Sequence, residues 1–209
     1  MKRPRLRPLA FALFLAASAA LASGPAAGSP PSAPAPGPAP VVVRAAGGSK
    51  SITVTEKGGS LEILLPNGAR LVGSPSGEKR KYRREPGGQQ VCEVKPGDAG
   101  FKVRTTDGKL LWKVKVAEDK IKVSDNEENA NPWSLKTKYE DKVKVVDASD
   151  NEIAEVRFYP DKTKVKGPDG TVLWECAARR SAAFGVLVLD RVPEEHRAIL
   201  MAEILARRR

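Results

Sequence analysis

Between Phe101 and Arg180 the chain repeats one pattern about every twenty residues: two short β-rich runs in which apolar residues alternate with lysine. In "KLLWKVKV", Leu110, Trp112, Val114 and Val116 share one face, and Leu111, Lys113 and Lys115 share the other. Ile121 and Val123 oppose Lys122, and Leu135, Thr137 and Tyr139 oppose Lys136 and Lys138. Val143 and Val145 oppose Lys144, and Thr163 and Val165 oppose Lys164 and Lys166. Successive strand side chains point to opposite faces, so a period of two with one wet side predicts an antiparallel sheet buried on a single face.

The blocks set the topology. Units begin at Ser60, Lys81, Phe101, Ile121, Val143 and Thr163. Asn67-Gly68, Asp107-Gly108 and Asp169-Gly170 sit between β-rich runs, where Asx-Gly pairs accept positive φ and match the twist of a hairpin. Asn- and Asp-rich stretches at 124–131 and 147–151 serve longer turns. Most units close on an acidic turn followed by Lys. The expected fold is mainly β: a meander of up to about a dozen strands in repeated hairpins. Leaving Trp112, Trp174 and the valines wet would cost too much at about 25 cal/mol per Å². The sheet therefore curls, closes into a barrel, or is covered.

The tail offers a cover. "SAAFGVLVLD" (181–190) reads as an apolar helix or strand, and "VPEEHRAILMAEILARRR" as a helix. Pro193 suits a first helical position, and Glu194 and Glu195 suit the N-terminal end of the dipole. Ile199, Leu200, Ile204 and Leu205 form its apolar face, so the helix is expected to pack on the sheet or plug one barrel mouth.

Ahead of the blocks the composition changes. "MKRPRLRPLAFALFLAASAALAS" has a basic start, an apolar run from Leu9 to Leu21 and small residues before Ser23. That is the layout of a secretory signal peptide over residues 1–22. The run is shorter than the roughly 20 residues a spanning helix needs. Residues 23–40 are Pro, Ala, Gly and Ser with Val only afterwards, a linker that cannot form a core. The domains expected are thus a signal, a linker, a β-repeat domain over 41–180 and a helical segment over 181–209. The location expected is periplasmic or secreted, tethered to a membrane only if the signal stays uncleaved, with no transmembrane span after cleavage.

Charge and cysteines narrow the partners. The formal charge is +11, and losing Lys2, Arg3, Arg5 and Arg7 with the signal leaves +7. Export argues against nucleic acid and for an anionic envelope component, or another envelope protein, as partner. The densest basic run, Lys79, Arg80, Lys81, Tyr82, Arg83 and Arg84, is the candidate anionic-ligand patch. Cys92 and Cys176 fall at matching places in their units, both inward, and an oxidising compartment allows a disulfide between them. That bond would need Cα atoms within about 7 Å.

Nothing in the sequence assembles catalytic chemistry. The only histidine is His196, with no second His at metal-ligand spacing. "SDNEENAN" departs from a calcium loop at Ala130 and Lys136, where Gly and Glu belong. No phosphate-binding or dinucleotide glycine pattern is present. The chain reads as an exported, non-catalytic binding or structural module of a bacterial envelope, needing no cofactor or metal. The alternatives are a small barrel carrying an apolar ligand and, third, an enzyme of unknown type.

Overall fold

The structure is a computed structural model that describes residues 38–177 and 179–207. The chain divides into two units, Met1–Ala35 and Pro36–Arg209. The segment expected to be a signal peptide and most of the expected linker lie outside the described residues.

The second unit is a closed antiparallel barrel of fourteen strands, each paired with its neighbours in sequence, and the last with the first. The strands are β1 (Val41–Ala45), β2 (Ser51–Lys57), β3 (Ser60–Leu64), β4 (Arg70–Ser76), β5 (Lys79–Glu85), β6 (Gln89–Gly97) and β7 (Gly100–Arg104). There follow β8 (Leu110–Val116), β9 (Lys120–Ser124), β10 (Trp133–Tyr139), β11 (Lys142–Val146), β12 (Glu152–Phe158), β13 (Lys162–Lys166) and β14 (Val172–Ala177). The barrel closes where Val43 faces Cys176 and Ala45 faces Trp174. Closure leaves no unpaired edge strand.

Hairpin loops gather at one mouth and the tight links between hairpins at the other. Four of the loops, 65–69, 105–109, 147–151 and 167–171, share one hydrogen-bond pattern. In each, the first residue's N–H donates to the fifth carbonyl, and the fourth residue's N–H donates back to the first carbonyl. The fourth residue has positive φ: Gly68, Gly108, Asp150 and Gly170. The Asx-Gly pairs are therefore the third and fourth residues of five-residue loops, not whole two-residue turns. At the opposite, short-turn mouth, Glu118, Asp119, Glu140, Asp141 and Asp161 form an acidic rim.

The alternation places valine and isoleucine inside and lysine outside, as the sequence predicts. Val103, Val114, Ile121, Val123, Val143, Val145 and Val165 are at most 2% exposed. Two stretches differ. A register shift between Trp112 and Leu110 accompanies the packing of Leu111, rather than Leu110, against the core. Leu135 is buried, but Thr137 is exposed although it still pairs in register with Val143, and Tyr139, beyond a bulge that shifts the register against β11, is exposed as well. An extra residue on one strand breaks the two-residue period.

The lumen holds the chain's own C-terminal segment. After β14 the chain enters at the short-turn mouth, where Arg180 donates to the Glu140 carbonyl. It crosses as a 3₁₀ helix, Ala182–Val188, packed so closely that a Cβ on Gly185 would stand 2.8 Å from Val145 Cγ2 and 3.0 Å from Leu135 Cδ2. It turns at Leu189–Val192 and returns as α1 (Glu194–Arg207). Residues 198–205 of α1 are buried without a break. Eight consecutive buried residues cover every face of a helix at 100° per residue, and only an enclosing wall can bury them all. The helix is thus buried on every face rather than on one: "AILMAEIL" is apolar apart from Glu203 because the barrel surrounds it.

Candidate functional site

Three places carry concentrated polar or reactive groups: a node in the lumen, the lysine-rich wall, and the long-loop mouth.

The node forms where the basic run meets α1. Residues 79–85 are strand β5, so their side chains alternate. Arg80 and Tyr82 turn inward to Glu203, which is fully buried. Glu203 Oε1 accepts from Arg80 Nη1 at 2.7 Å and from the Tyr82 hydroxyl at 2.9 Å, and its Oε2 accepts from Arg207 Nη2 at 3.0 Å. Burial first, and the neighbouring carboxylate second, hold the Tyr82 hydroxyl well above its ordinary pKa. Burial weakens the Arg80 guanidinium, but Glu203 more than offsets it and leaves it raised. Arg80 Nη2 donates to the Gly59 carbonyl, and its Nε is buried without an acceptor. Gly73 makes room for this arrangement. It faces Tyr82 across β4 and β5, and a Cβ there would stand 2.5 Å from the ring.

Of the rest of the run, Arg84 reaches Glu195 near the start of α1 at 2.9 Å, and Lys79 pairs with Glu93 at 2.6 Å. Lys81 and Arg83 make no ion pair among the described residues. The candidate patch therefore spends most of its charge on carboxylates of its own chain, and the fully buried Tyr82 cannot stack on an outside ligand. Glu203 is the centre of this node, and the sequence reading does not single it out. Its signal is nonetheless legible: one carboxylate inside an apolar helical run must find partners, because an unpaired buried charge is prohibitive.

The two cysteines are free and buried. The disulfide expected between Cys92 and Cys176 is not formed. Their strands, β6 and β14, stand six places apart around the ring, at about 4.8 Å per strand. Phase puts both side chains inside but cannot give their positions around the wall. Burial raises the Cys92 thiol to about 12, with Glu195, Glu203 and Glu93 adding to it. Burial raises Cys176 to about 11 against the pull of Arg179 and Arg44. The thiolate is the nucleophile, so both thiols are expected to resist Ellman's reagent in the native state. Two thiols should titrate once the chain is denatured without reductant; none would mean a bond.

His196 is half-buried at the start of α1, where its Nδ1 accepts from Trp112 Nε1 at 3.0 Å. Burial lowers its pKa and outweighs the opposite pull of Glu195. The folded state thus keeps it neutral where the unfolded chain, near 6.5, takes up a proton. Stability should be full above about pH 6.5 and fall as the pH drops below it. As the chain's only histidine it owns this slope, so melting curves from pH 7.5 to 5 should flatten in His196→Gln relative to the parent.

The outer wall concentrates lysine. From β6 to β11, Lys95 faces Lys102, Lys102 faces Lys113, Lys115 faces Lys122, and Lys136 faces both Lys120 and Lys144. Like charges opposed across strands cost roughly 0.2–1 kcal/mol per pair. Acidic loops relieve part of this. Glu127 folds back onto Lys102 at 2.7 Å and Arg104 at 2.5 Å, which lowers its carboxyl pKa. Asp150 takes Lys136, and Glu152 takes Lys144 at 2.6 Å. Lys95, Lys115, Lys122 and Lys138 have no ion pair among the described residues. This wall is not built to face lipid tails: strands of five to nine residues are shorter than most membrane strands, and each lysine at a bilayer midplane costs about 2–4 kcal/mol. No helix among the described residues is long and apolar enough to cross a membrane.

At the long-loop mouth a cavity of about 400 Å³ lies between loops 125–132 and 147–151 and the turn that joins the 3₁₀ helix to α1. Trp133 and Ile153 line it beside Asp125, Asn131, Ser149, Asp190 and Arg191. No group of three or more metal-ligating side chains occurs among the described residues. Comparison of the chain with protein-family models, curated proteins and solved structures gave no match.

Proposed function

We propose that the chain is an exported, non-catalytic binding module of the bacterial envelope, which meets an anionic envelope component through its lysine wall. The observation that carries this reading is the cross-strand opposition of lysines over six consecutive strands. It lowers the stability of the barrel, and a polyanion bound there would relieve the repulsion. The filled lumen also favours an outer binding surface over an inner one. The signal-like N-terminus supports delivery to the envelope.

The test uses vesicles of phosphatidylglycerol, vesicles of phosphatidylcholine, and soluble polyphosphate. The chain is expected to bind at least one anionic probe at low salt and to release it as salt rises. Replacing Lys95, Lys115, Lys122 and Lys138 by Gln should weaken that binding at least tenfold. The variant also removes two opposed pairs, Lys95–Lys102 and Lys115–Lys122, so it should melt no lower than the parent. Equal binding by the variant, or no anionic binding near 20 mM salt, overturns the reading.

A further inference from the structure

We propose that the cavity at the long-loop mouth is a binding site for a neutral or amine-bearing saccharide ring. It goes beyond the wall reading and stands apart from it, being built from loops at one barrel end.

The cavity is of a size known for small-ligand sites, about 300–1,000 Å³. One side is apolar: Trp133 and Ile153, both packed on the core. Trp133 is braced from below by Trp112, their ring centroids 6.3 Å apart, and Trp112 is in turn fixed by its hydrogen bond to His196. The indole is thus a rigid platform.

The remaining wall mixes donors and acceptors that the fold leaves unspent. The Asn131 amide, the Ser149 hydroxyl and the Arg191 guanidinium make no side-chain hydrogen bond among the described residues. Asp125 and Asp190 each use one oxygen locally, toward Asn126 Nδ2 and Arg191 N, and keep the other. The loops are held by other groups. Asn126 bonds both polar groups of Ala130, Asn129 accepts from Ser124, and Asp147 accepts from Ser149 N and Asn151 N. Asn131, Ser149 and Arg191 thus keep their side-chain groups free within the described residues, and Asp125 and Asp190 keep one oxygen each. Among the described residues, the non-glycine residues of positive φ are Asn129, Asn131 and Asp150, all in these two loops, and Asn131 lines the cavity. Such conformations cluster at ligand sites.

A hydroxyl both donates and accepts, so a mixed set of free donors and acceptors around an aromatic platform matches a ring carrying several hydroxyls. Charge selects among rings. Asp125, Asp147 and Asp190 outnumber Arg191, so a carboxylated sugar is disfavoured and an amine is tolerated.

The test is calorimetric and fluorescence titration of the full chain with methyl glucoside, glucosamine and glucuronate. Saturable binding of methyl glucoside or glucosamine below roughly 10 mM is expected, with glucuronate weaker. Asn131→Gly keeps the backbone conformation, and Ser149→Ala is exposed; each should weaken binding severalfold while the melting temperature holds. Trp133→Leu should abolish it. The lysine-wall variant should bind sugar as the parent does, which separates this proposal from the wall. Failure of all three probes to saturate, preference for glucuronate, or undiminished binding by Asn131→Gly and Ser149→Ala together overturns it.

Discussion

A chain ending at Arg180 is expected not to fold. The lost segment supplies ten large apolar side chains to the lumen: Phe184, Val186, Leu187, Leu189, Val192, Ile199, Leu200, Met201, Ile204 and Leu205, none more than 4% exposed. At about 1.5–3 kcal/mol each, their burial contributes roughly 15–30 kcal/mol. Whole domains are stable by only about 5–15 kcal/mol. A ring of strands closed without this segment would leave its inward valines and Trp112 lining a wet channel. Loss of near-ultraviolet circular dichroism and of a cooperative melt is the expected readout. A cooperative melt within a few degrees of the parent would show that the wall stands alone and that the plug is an accessory.

The wall is legible because its two signals are local. Alternation fixes which residues face in, and each Asx-Gly loop fixes where the chain reverses. Both are written in runs of five to ten residues. The first hairpin, β1–β2, closes the ring but does not stand out in the sequence. Its outward residues are Ser51, Thr53 and Thr55 rather than lysine, so it lacks the mark that makes the later units look alike. The fourteenth strand's partner is consequently invisible, and open sheet and barrel are equivalent on sequence alone. The plug is hidden for a different reason. Its apolar stretch and helical start are plain, but the four residues that read as one face belong to a helix buried all round. Ala198 and Ala202 are the clue, since they lie off that face and are apolar as well. The basic run misleads for the same reason. Lys79 to Arg84 look like a solvated cluster until α1 is inside the barrel, when Glu195 and Glu203 turn out to be what Arg84 and Arg80 hold. Neutralising the whole run would therefore disturb the core, so loss of binding in such a variant would say nothing about a surface site. The lysines of β6, β8, β9 and β10 test binding without that confusion.

Glu203→Ala should cost about 3–5 kcal/mol, a large effect for one side chain. The carboxylate is fully buried and is the shared acceptor for Arg80, Tyr82 and Arg207. Removing it leaves the Tyr82 hydroxyl without a partner inside the wall. It also leaves Arg80, whose Nε already lacks an acceptor, as an uncompensated cation beside apolar residues. For a domain of this size the loss corresponds to a melting temperature lower by roughly 10 °C. Glu203→Gln keeps the shape and one acceptor oxygen, so it should fall between. The decisive comparison is the triple replacement Glu203→Leu, Arg80→Leu and Tyr82→Phe. Replacing a buried charged set by apolar groups removes desolvation costs along with the attraction, so the triple variant should recover much of what the single one loses. Urea unfolding of the parent and the three variants measures all of this. A Glu203→Ala loss under 1 kcal/mol would mean that the node is wetter than its burial implies. Failure of the triple variant to recover would mean that the node also sets the depth and rotation of α1 against the β5 side of the wall. A carboxylate with three directed partners can fix such a register, whereas a smooth apolar lumen cannot.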